Sequence, residues 1–313
     1  MFGIDIGGIP LEPALFVVAL ALGAGGLLWW DGRRTVAPTT AARRAVRHAT
    51  TTMGVALAPG AAGVVLPILS FHLGIGPHVK TAQLVVVPTL GLWAFLAVYA
   101  VGELTWPRPQ DAHRQARLTT RTVADVADRT ARRRIWVTAS LLVVATALLA
   151  LVADGPDSIA RVVDGVLERQ TLFPGWAWTG PVLLVALLAL ALTEAVLHLI
   201  AARPAVVDVD EAWDMWLRRR GARRVLRVVQ LVSGLTLAGL LGVAGIALRM
   251  LGLGRTTMST AALPVVPEYV TLGNVVLWVG VAAAVATTVA ACWRWRDPLP
   301  GTASGRPTVE ARS

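Results

Sequence analysis

Seven long apolar runs that are almost free of charge constrain this chain more than any other feature of its sequence. Glu194 is the one acidic residue inside them, and they contain no lysine or arginine. The runs cover residues 14–30, 53–71, 81–102, 135–153, 178–202, 228–248 and 270–291. An α-helix rises 1.5 Å per residue, so about 20 apolar residues cross the hydrocarbon core of a bilayer. The runs predict an all-α fold, a polytopic bundle of about seven transmembrane helices.

Composition favours a membrane protein over a water-soluble one. Hydrophobic residues make up 55% of the 313 residues and charged residues only 15%, against about 25% charged residues in soluble domains. The single cysteine, Cys292, excludes an intramolecular disulfide and a cysteine metal cluster. No sequence pattern predicts a bound cofactor.

Basic residues are distributed unevenly enough to predict an orientation. Of the 29 lysine and arginine residues, 24 lie in segments 31–52, 103–134, 203–227 and 292–313. Because cytoplasmic loops carry an excess of basic residues, we expect the N-terminus outside and the C-terminus inside a bacterial cytoplasmic membrane. We interpret the arginine clusters as anchors that contact membrane lipids, with a specific phospholipid or nucleic-acid site as the alternative. Placed in this way, the positive charge does not indicate nucleic-acid binding.

The spacing of these clusters indicates a weak internal repeat. Ala-Arg-Arg begins at positions 42, 131 and 222, and Glu103 and Glu194 are 91 residues apart. We therefore expect one transmembrane domain over 1–296, with hairpin repeats near 14–71, 81–153 and 178–248 and a final span at 270–291. The alternative to a true duplication is that Ala-Arg-Arg recurs by chance, because alanine and arginine are frequent in this sequence. The Pro-, Gly-, Ser- and Thr-rich segment 297–313 predicts a disordered cytoplasmic tail.

The polar segment 208–220 predicts a separate cytoplasmic helix. Its acidic residues come first and its arginines last, which complements the helix dipole, and Gly221 is a good C-terminal breaker. An apolar stripe on this helix could lie along the membrane surface or dock onto a partner subunit. The stripe consists of Trp213, Trp216 and Leu217.

Two further spacings predict helix faces. In segment 157–170, five apolar residues share one face, which predicts a short amphipathic helix on the outer side. In the sixth run, Gly234, Ala238 and Gly242 recur every four residues, which favours close packing against a neighbouring helix.

Ionisable groups near the membrane are the candidate site residues. Glu194 and His198 lie four residues apart on one face of the fifth run, and Glu103 follows the third run. Intramembrane ionisable groups are functional candidates by default, so the pair could relay protons or hold a cation. The structural alternative pairs Glu194 with Arg203. Glu103 is expected to be more exposed and to pair with Arg108 or a neighbouring basic loop.

Several signatures of enzymes are missing. The chain has no Walker A loop, HExxH, CxxC, aspartate-rich prenyl-diphosphate motif or GxSxG elbow. These absences argue against an ATPase, a zinc protease, a familiar prenyl transferase and a serine hydrolase.

Four short motifs resemble those of multi-pass membrane proteins of actinobacterial type, a family without an assigned activity. They are GELTWPRP (102–109), FPGWAW (173–178), AARPAV (201–206) and ARRVLR (222–227), within a resemblance that covers roughly residues 100 to 250. The resemblance implies association with transport or regulation. It implies no catalytic residue.

We therefore expect a non-enzymatic accessory or permease-like subunit that works with another membrane or cytoplasmic protein. One alternative is an intramembrane enzyme for a lipid or isoprenoid that uses Glu103, Glu194 and His198 as acid–base groups. The other is a stand-alone transporter, which would need a polar cavity near the middle of the membrane.

Overall fold

The computed structural model describes residues 37–73, 81–107, 121–254 and 264–293. Two short strands, β1 (Ser158–Val163) and β2 (Val166–Thr171), lie between the fourth and fifth of the helices in these ranges. The helices are α1 (Thr40–Leu73), α2 (Thr81–Leu104), α3 (Val123–Val126), α4 (Arg129–Val152), α5 (Trp176–Ala202), α6 (Glu211–Gly252) and α7 (Pro267–Cys292). The apolar run at 14–30 and the predicted tail at 297–313 lie outside the described residues.

Four of these helices, α4 to α7, are long and apolar enough to cross a membrane, and Pro88–Leu104 is a shorter apolar stretch within α2. The fold prediction is thereby confirmed in its coarser form, a mostly helical chain with four candidate membrane-spanning helices. The runs at 53–71 and 81–102 lie inside α1 and α2. Leu141, Val144 and Leu148 on α4 are more than half exposed, so this helix presents an apolar surface suited to lipid.

The start of α4 explains where the sequence changes from arginine to apolar residues. Asp128 caps the helix, and its carboxylate accepts hydrogen bonds from the backbone N–H groups of Thr130 and Ala131, both at 3.2 Å. These bonds satisfy two donors that a helix start leaves without partners. The arginines at 132–134 therefore lie in the first two turns of α4, directly before the buried Ile135.

Helix α6 runs unbroken from Glu211 to Gly252, so the prediction of a separate helix ending at Gly221 is wrong. A Cβ on Gly221 would lie 3.1 Å from the hydroxyl of Tyr99, so this glycine lets α2 approach α6. The helix ends where Gly254 takes a φ of 64°, a conformation that glycine adopts at little cost. With 42 residues, α6 is about 60 Å long, about twice the thickness of the hydrocarbon core.

Segment 157–170 forms a β-hairpin, so the prediction of an amphipathic helix there is wrong. Strands β1 and β2 pair in antiparallel fashion, with Val163 opposite Val166. The two residues between them, Asp164 (φ 51°) and Gly165 (φ 78°), both have positive φ, as a type I′ turn requires. Asp-Gly between β-branched residues favours this turn more strongly than the apolar spacing favours a helix. Within the described ranges, the hairpin is the exception to the all-α prediction.

Close packing joins α6 to α7, as the small-residue stripe predicted. A Cβ on Gly234 would overlap the side chain of Thr287. A Cβ on Gly280 of α7 would lie 3.0 Å from the carbonyl oxygen of Ala238 and 3.2 Å from the nitrogen of Gly242. Gly234 and Ala238 therefore lie against α7, whereas a Cβ on Gly242 would meet nothing within 4 Å, so the prediction is confirmed for the first two residues of the stripe.

The two largest apolar clusters of the described residues lie one near each end of the bundle. We call one end the arginine-rich end, where α2 and α5 finish and α4 and α6 begin, and the opposite end the hairpin end. The cluster at the arginine-rich end includes Phe95, Leu96, Tyr99, Ile200 and Val229. The cluster at the hairpin end includes Leu142, Val182, Leu240, Ile159 and Phe173, so the hairpin is part of the folded core.

Candidate functional site: an ionic cluster at the arginine-rich end

Arg218 is the centre of a buried ionic cluster. Its side chain is fully buried, and Nε donates a hydrogen bond to Asp214 Oδ2 at 2.9 Å. The other nitrogens donate to backbone carbonyls of Ile200 at 2.8 Å, Ala201 at 3.0 Å and Arg203 at 2.8 Å. These carbonyls lie at the C-terminus of α5, where a helix leaves acceptors without partners. Arg218 therefore caps α5 and places a positive charge where the helix dipole favours it.

Asp214 connects a third segment to this centre. Arg121 donates from Nη1 to Asp214 Oδ2 at 2.9 Å and from Nη2 to Glu211 Oε1 at 3.4 Å. The side chain of Asp214 is 2% exposed, and a buried charge needs such partners to offset its lost hydration. The segment before α3 is thus fixed to the start of α6.

The short helix α3 is attached to the same region. Asp125 Oδ2 accepts hydrogen bonds from the backbone N–H of Thr122 at 2.8 Å and from its hydroxyl at 2.9 Å. These bonds, the backbone one first, lower the pKa of Asp125 below its ordinary value. Arg219 donates from Nε to the backbone carbonyl of Asp125 at 3.1 Å, which connects α3 to α6.

A second buried ion pair joins α2 to the end of α5. Arg203 Nη1 lies 3.6 Å from Glu103 Oε2, and the guanidinium carbon lies 4.0 Å from the ring centroid of Trp106, a favourable cation–π geometry. His48 packs edge-on against the same ring. The expectation of an exposed Glu103 is wrong, because Glu103 is buried. A neighbouring basic segment supplies its partner, as one of the two alternatives expected, and Arg108, the other, lies outside the described residues.

The apolar stripe of α6 faces the inside of the protein. Trp213, Trp216 and Leu217 are all buried, and they pack with Trp106 and with Ala42 of α1. Docking of a partner subunit through these three residues stays a prediction, and such a partner would have to displace the side chains that cover them here. Because α6 is a continuous helix, the chain's own α1 covers the stripe.

Glu194 has a partner other than the expected one. Arg132 Nη2 of α4 donates to Glu194 Oε1 at 3.1 Å and to Oε2 at 3.0 Å, with both side chains about one third exposed. Arg203, the partner expected for Glu194, is the partner of Glu103. His198 lies one turn along α5 and is exposed. The three acid–base candidates therefore have different surroundings: Glu103 is buried, Glu194 half-buried and His198 exposed.

The arrangement holds each carboxylate in place. Glu103, Asp214 and Glu194 each lie beside at least one arginine from another part of the chain or from the next helical turn. Within the part of the chain that the structure describes, no group of three or more His, Cys, Asp and Glu residues could hold a metal ion. What the cluster does chemically is to hold the ends of α2, α5 and α6 together.

Sequence reasoning missed Arg218 and Arg121 as cluster members, although one signal was present. Asp214, Arg218, Gly221 and Val225 recur every three or four residues, and this spacing continues into the apolar run at 228–248. A continuous inner face of one helix therefore includes Arg218. The partner carbonyls on α5 carry no such signal, because they are backbone groups of a distant segment.

Comparison with known proteins adds no assignment to this geometry. No protein-family model, no curated protein and no solved structure matches the chain. The resemblance that the four short motifs indicate stays a prediction, and the function is argued from the residues of the chain itself.

Proposed function

We propose that this chain is a multi-pass protein of a bacterial cytoplasmic membrane and a non-enzymatic accessory or permease-like subunit of a transport or envelope system. In this proposal it has about seven spans, with the N-terminus outside and the arginine-rich end in the cytoplasm. The observation that carries the proposal is the buried ionic cluster, in which carboxylates are held by arginines instead of being free for chemistry.

The length of α6 supports a role in contact with another protein. About half of its 60 Å exceeds the hydrocarbon core. The ionic cluster fixes this extension to the end of α5, and its apolar stripe packs against α1. The stripe around Trp213 faces inward, but Ala212 and Arg219 on the same extension are exposed. We expect this exposed face to contact the partner subunit.

Orientation is tested with two single-cysteine variants in a background with Cys292→Ser. Asp157→Cys lies next to the hairpin and Ala212→Cys lies at the start of α6, and both positions are exposed. A membrane-impermeant maleimide applied to intact cells should label Asp157→Cys, and should label Ala212→Cys only after permeabilisation. The reverse result would contradict the proposed orientation. Labelling of both variants in intact cells would contradict the placement of residues 157 and 212 on opposite sides of the membrane.

The partner is tested with a photoreactive amino acid at the same two positions in the native host. The proposal expects one protein adduct of defined mass from Ala212, in an amount comparable to the protein itself, and none of that mass from Asp157. The matched outer position controls for random collisions. If Ala212 yields only lipid adducts or none, the subunit proposal fails and the intramembrane enzyme is tested next through Glu194→Gln.

A further inference from the structure

A narrow cleft lies between the start of α4, the middle of α6 and the end of α7. It encloses about 30 Å³. None of the residues of the Arg218 and Arg203 ion pairs lines it. Its lining includes Asp128, Arg134, Arg223, Arg227, Gln230 and Ala290.

Three arginines converge on this cleft, against one carboxylate. Arg134 comes from α4, and Arg223 and Arg227 lie one turn apart on α6. Both oxygens of the carboxylate, that of Asp128, already accept N–H groups from the start of α4. Arg227 donates a hydrogen bond to the carbonyl of Trp293 at 2.9 Å, and Arg223 donates one to the carbonyl of Arg219 at 3.3 Å. Each guanidinium is a planar, permanently charged group with forked N–H donors. The cleft therefore suits an anion that accepts several hydrogen bonds, as a phosphodiester does.

Gln230 brings a buried hydrogen-bond acceptor to the cleft. Gln230 donates from Nε2 to the hydroxyl of Thr138 at 2.9 Å, and its Oε1 is buried and has no hydrogen-bond partner among the described residues. A buried carbonyl without a donor is costly, and the enclosed volume has room for one or two small groups such as a hydroxyl. A ligand that carries a hydroxyl beyond its phosphate would satisfy both ends of the cleft.

The position along the helices matches a membrane–water boundary. Trp136 on α4 and Trp293 after α7 are 51% and 62% exposed, and tryptophan is enriched at this boundary. Directly after Arg134, α4 changes to apolar residues. An anion in the cleft would thus lie at the level of lipid headgroups.

We propose that this cleft is a specific binding site for an anionic phospholipid with a hydroxylated headgroup. The guanidinium groups of Arg134, Arg223 and Arg227 bind the phosphodiester, and Gln230 Oε1 accepts a hydrogen bond from a headgroup hydroxyl. Basic pockets between transmembrane helices bind anionic headgroups in this way. The proposal does not depend on the partner subunit proposed above.

Native mass spectrometry of the full chain in mild detergent tests the proposal, with phosphatidylglycerol and phosphatidylcholine as probes. For the unmodified protein we expect one phosphatidylglycerol bound with at least tenfold preference over phosphatidylcholine. Equal binding of the two lipids would overturn the proposal without any variant. Displacement of the bound lipid by millimolar inorganic phosphate or glycerol phosphate would make the occupant a soluble phosphate, and would also overturn it.

A neighbouring pair of arginines supplies the matched variants. Arg134→Gln should weaken phosphatidylglycerol binding about fivefold, the contribution typical of one arginine near anionic lipid. Arg133→Gln removes the same charge from an exposed position on the same helix and should change binding less than twofold. Equal losses in the two variants would show that binding follows net charge, which contradicts a specific site.

The hydroxyl contact has its own test. Gln230→Leu should reduce the preference for phosphatidylglycerol over phosphatidic acid, whose headgroup has no hydroxylated extension. A ratio of two affinities is used because general loosening of the helices would weaken both lipids alike. An unchanged ratio would overturn the role of Gln230 and the requirement for a hydroxylated headgroup.

Discussion

Replacement of Arg218 by leucine tests whether the ionic cluster holds the arginine-rich end together. The variant loses all four hydrogen bonds of the guanidinium, one to Asp214 and three to carbonyls at the end of α5. Removal of one partner from a buried ion pair costs about 3 to 5 kcal/mol, because the other charge stays buried. Asp214 retains Arg121 at 2.9 Å, which places the expected loss toward the lower part of that range.

The assay is the apparent melting temperature of the purified protein in detergent, followed by the fluorescence of its 12 tryptophans. We expect Arg218→Leu to lower it by roughly 10 °C. Arg133→Leu is the matched control, because Arg133 is exposed and an exposed substitution typically changes stability by about 0.5 kcal/mol or less. If the two variants melt within about 2 °C of each other, the argument that Arg218 stabilises the helix ends is refuted.

Three further predictions concern other parts of the molecule. Glu168→Gln leaves its buried partner Arg161 without a counter-charge, so amide hydrogen exchange of the hairpin should accelerate; unchanged exchange would contradict a stabilising ion pair. Gly245→Val should lower the melting temperature by the equivalent of about 1 to 3 kcal/mol, because a Cβ there would lie 2.6 Å from a backbone nitrogen of α7. Gly239→Val, with open space around it, should be tolerated. Similar losses of stability in both variants would refute the packing argument. Asp125 has a lowered pKa in the folded state, so its contribution to the stability of the fold is present above about pH 3.8 and is lost as the pH falls through the folded-state pKa. The unmodified protein should therefore melt at a higher temperature than Asp125→Asn at neutral pH, and this advantage should disappear on acidification. A difference that stays constant with pH would contradict the prediction.

The apolar runs predicted helices well, because a helix in a membrane depends mainly on the sequence of its own segment. A helix that satisfies its own backbone needs only a long apolar sequence to be stable in lipid, and the run predicted at 178–202 corresponds to α5 (Trp176–Ala202). The hairpin was missed because five apolar residues at helical spacing were weighed above the Asp164-Gly165 pair, which specifies a turn. The helix end was misplaced at Gly221, because a glycine that ends a helix and one that admits a neighbouring helix look the same in sequence.

The ion pairs were predicted poorly because their partners are distant in sequence. Glu103 pairs with Arg203 across 100 residues, and Glu194 pairs with Arg132 across 62. Many arginines were available near each carboxylate in sequence, and charge attraction alone does not distinguish among them. Only the packing of α2, α4 and α5 decides which arginine each carboxylate meets.

One consequence follows from the length of α6. This helix contains no proline and contacts the hairpin strands as well as α2, α5 and α7, so one continuous element connects the two ends of the molecule. Over about 60 Å, a tilt of about 5° displaces the far end by about 5 Å. A change of tilt of that size would separate the donors and acceptors of the ionic cluster by more than the length of a hydrogen bond, so the cluster and the hairpin together fix the tilt of α6.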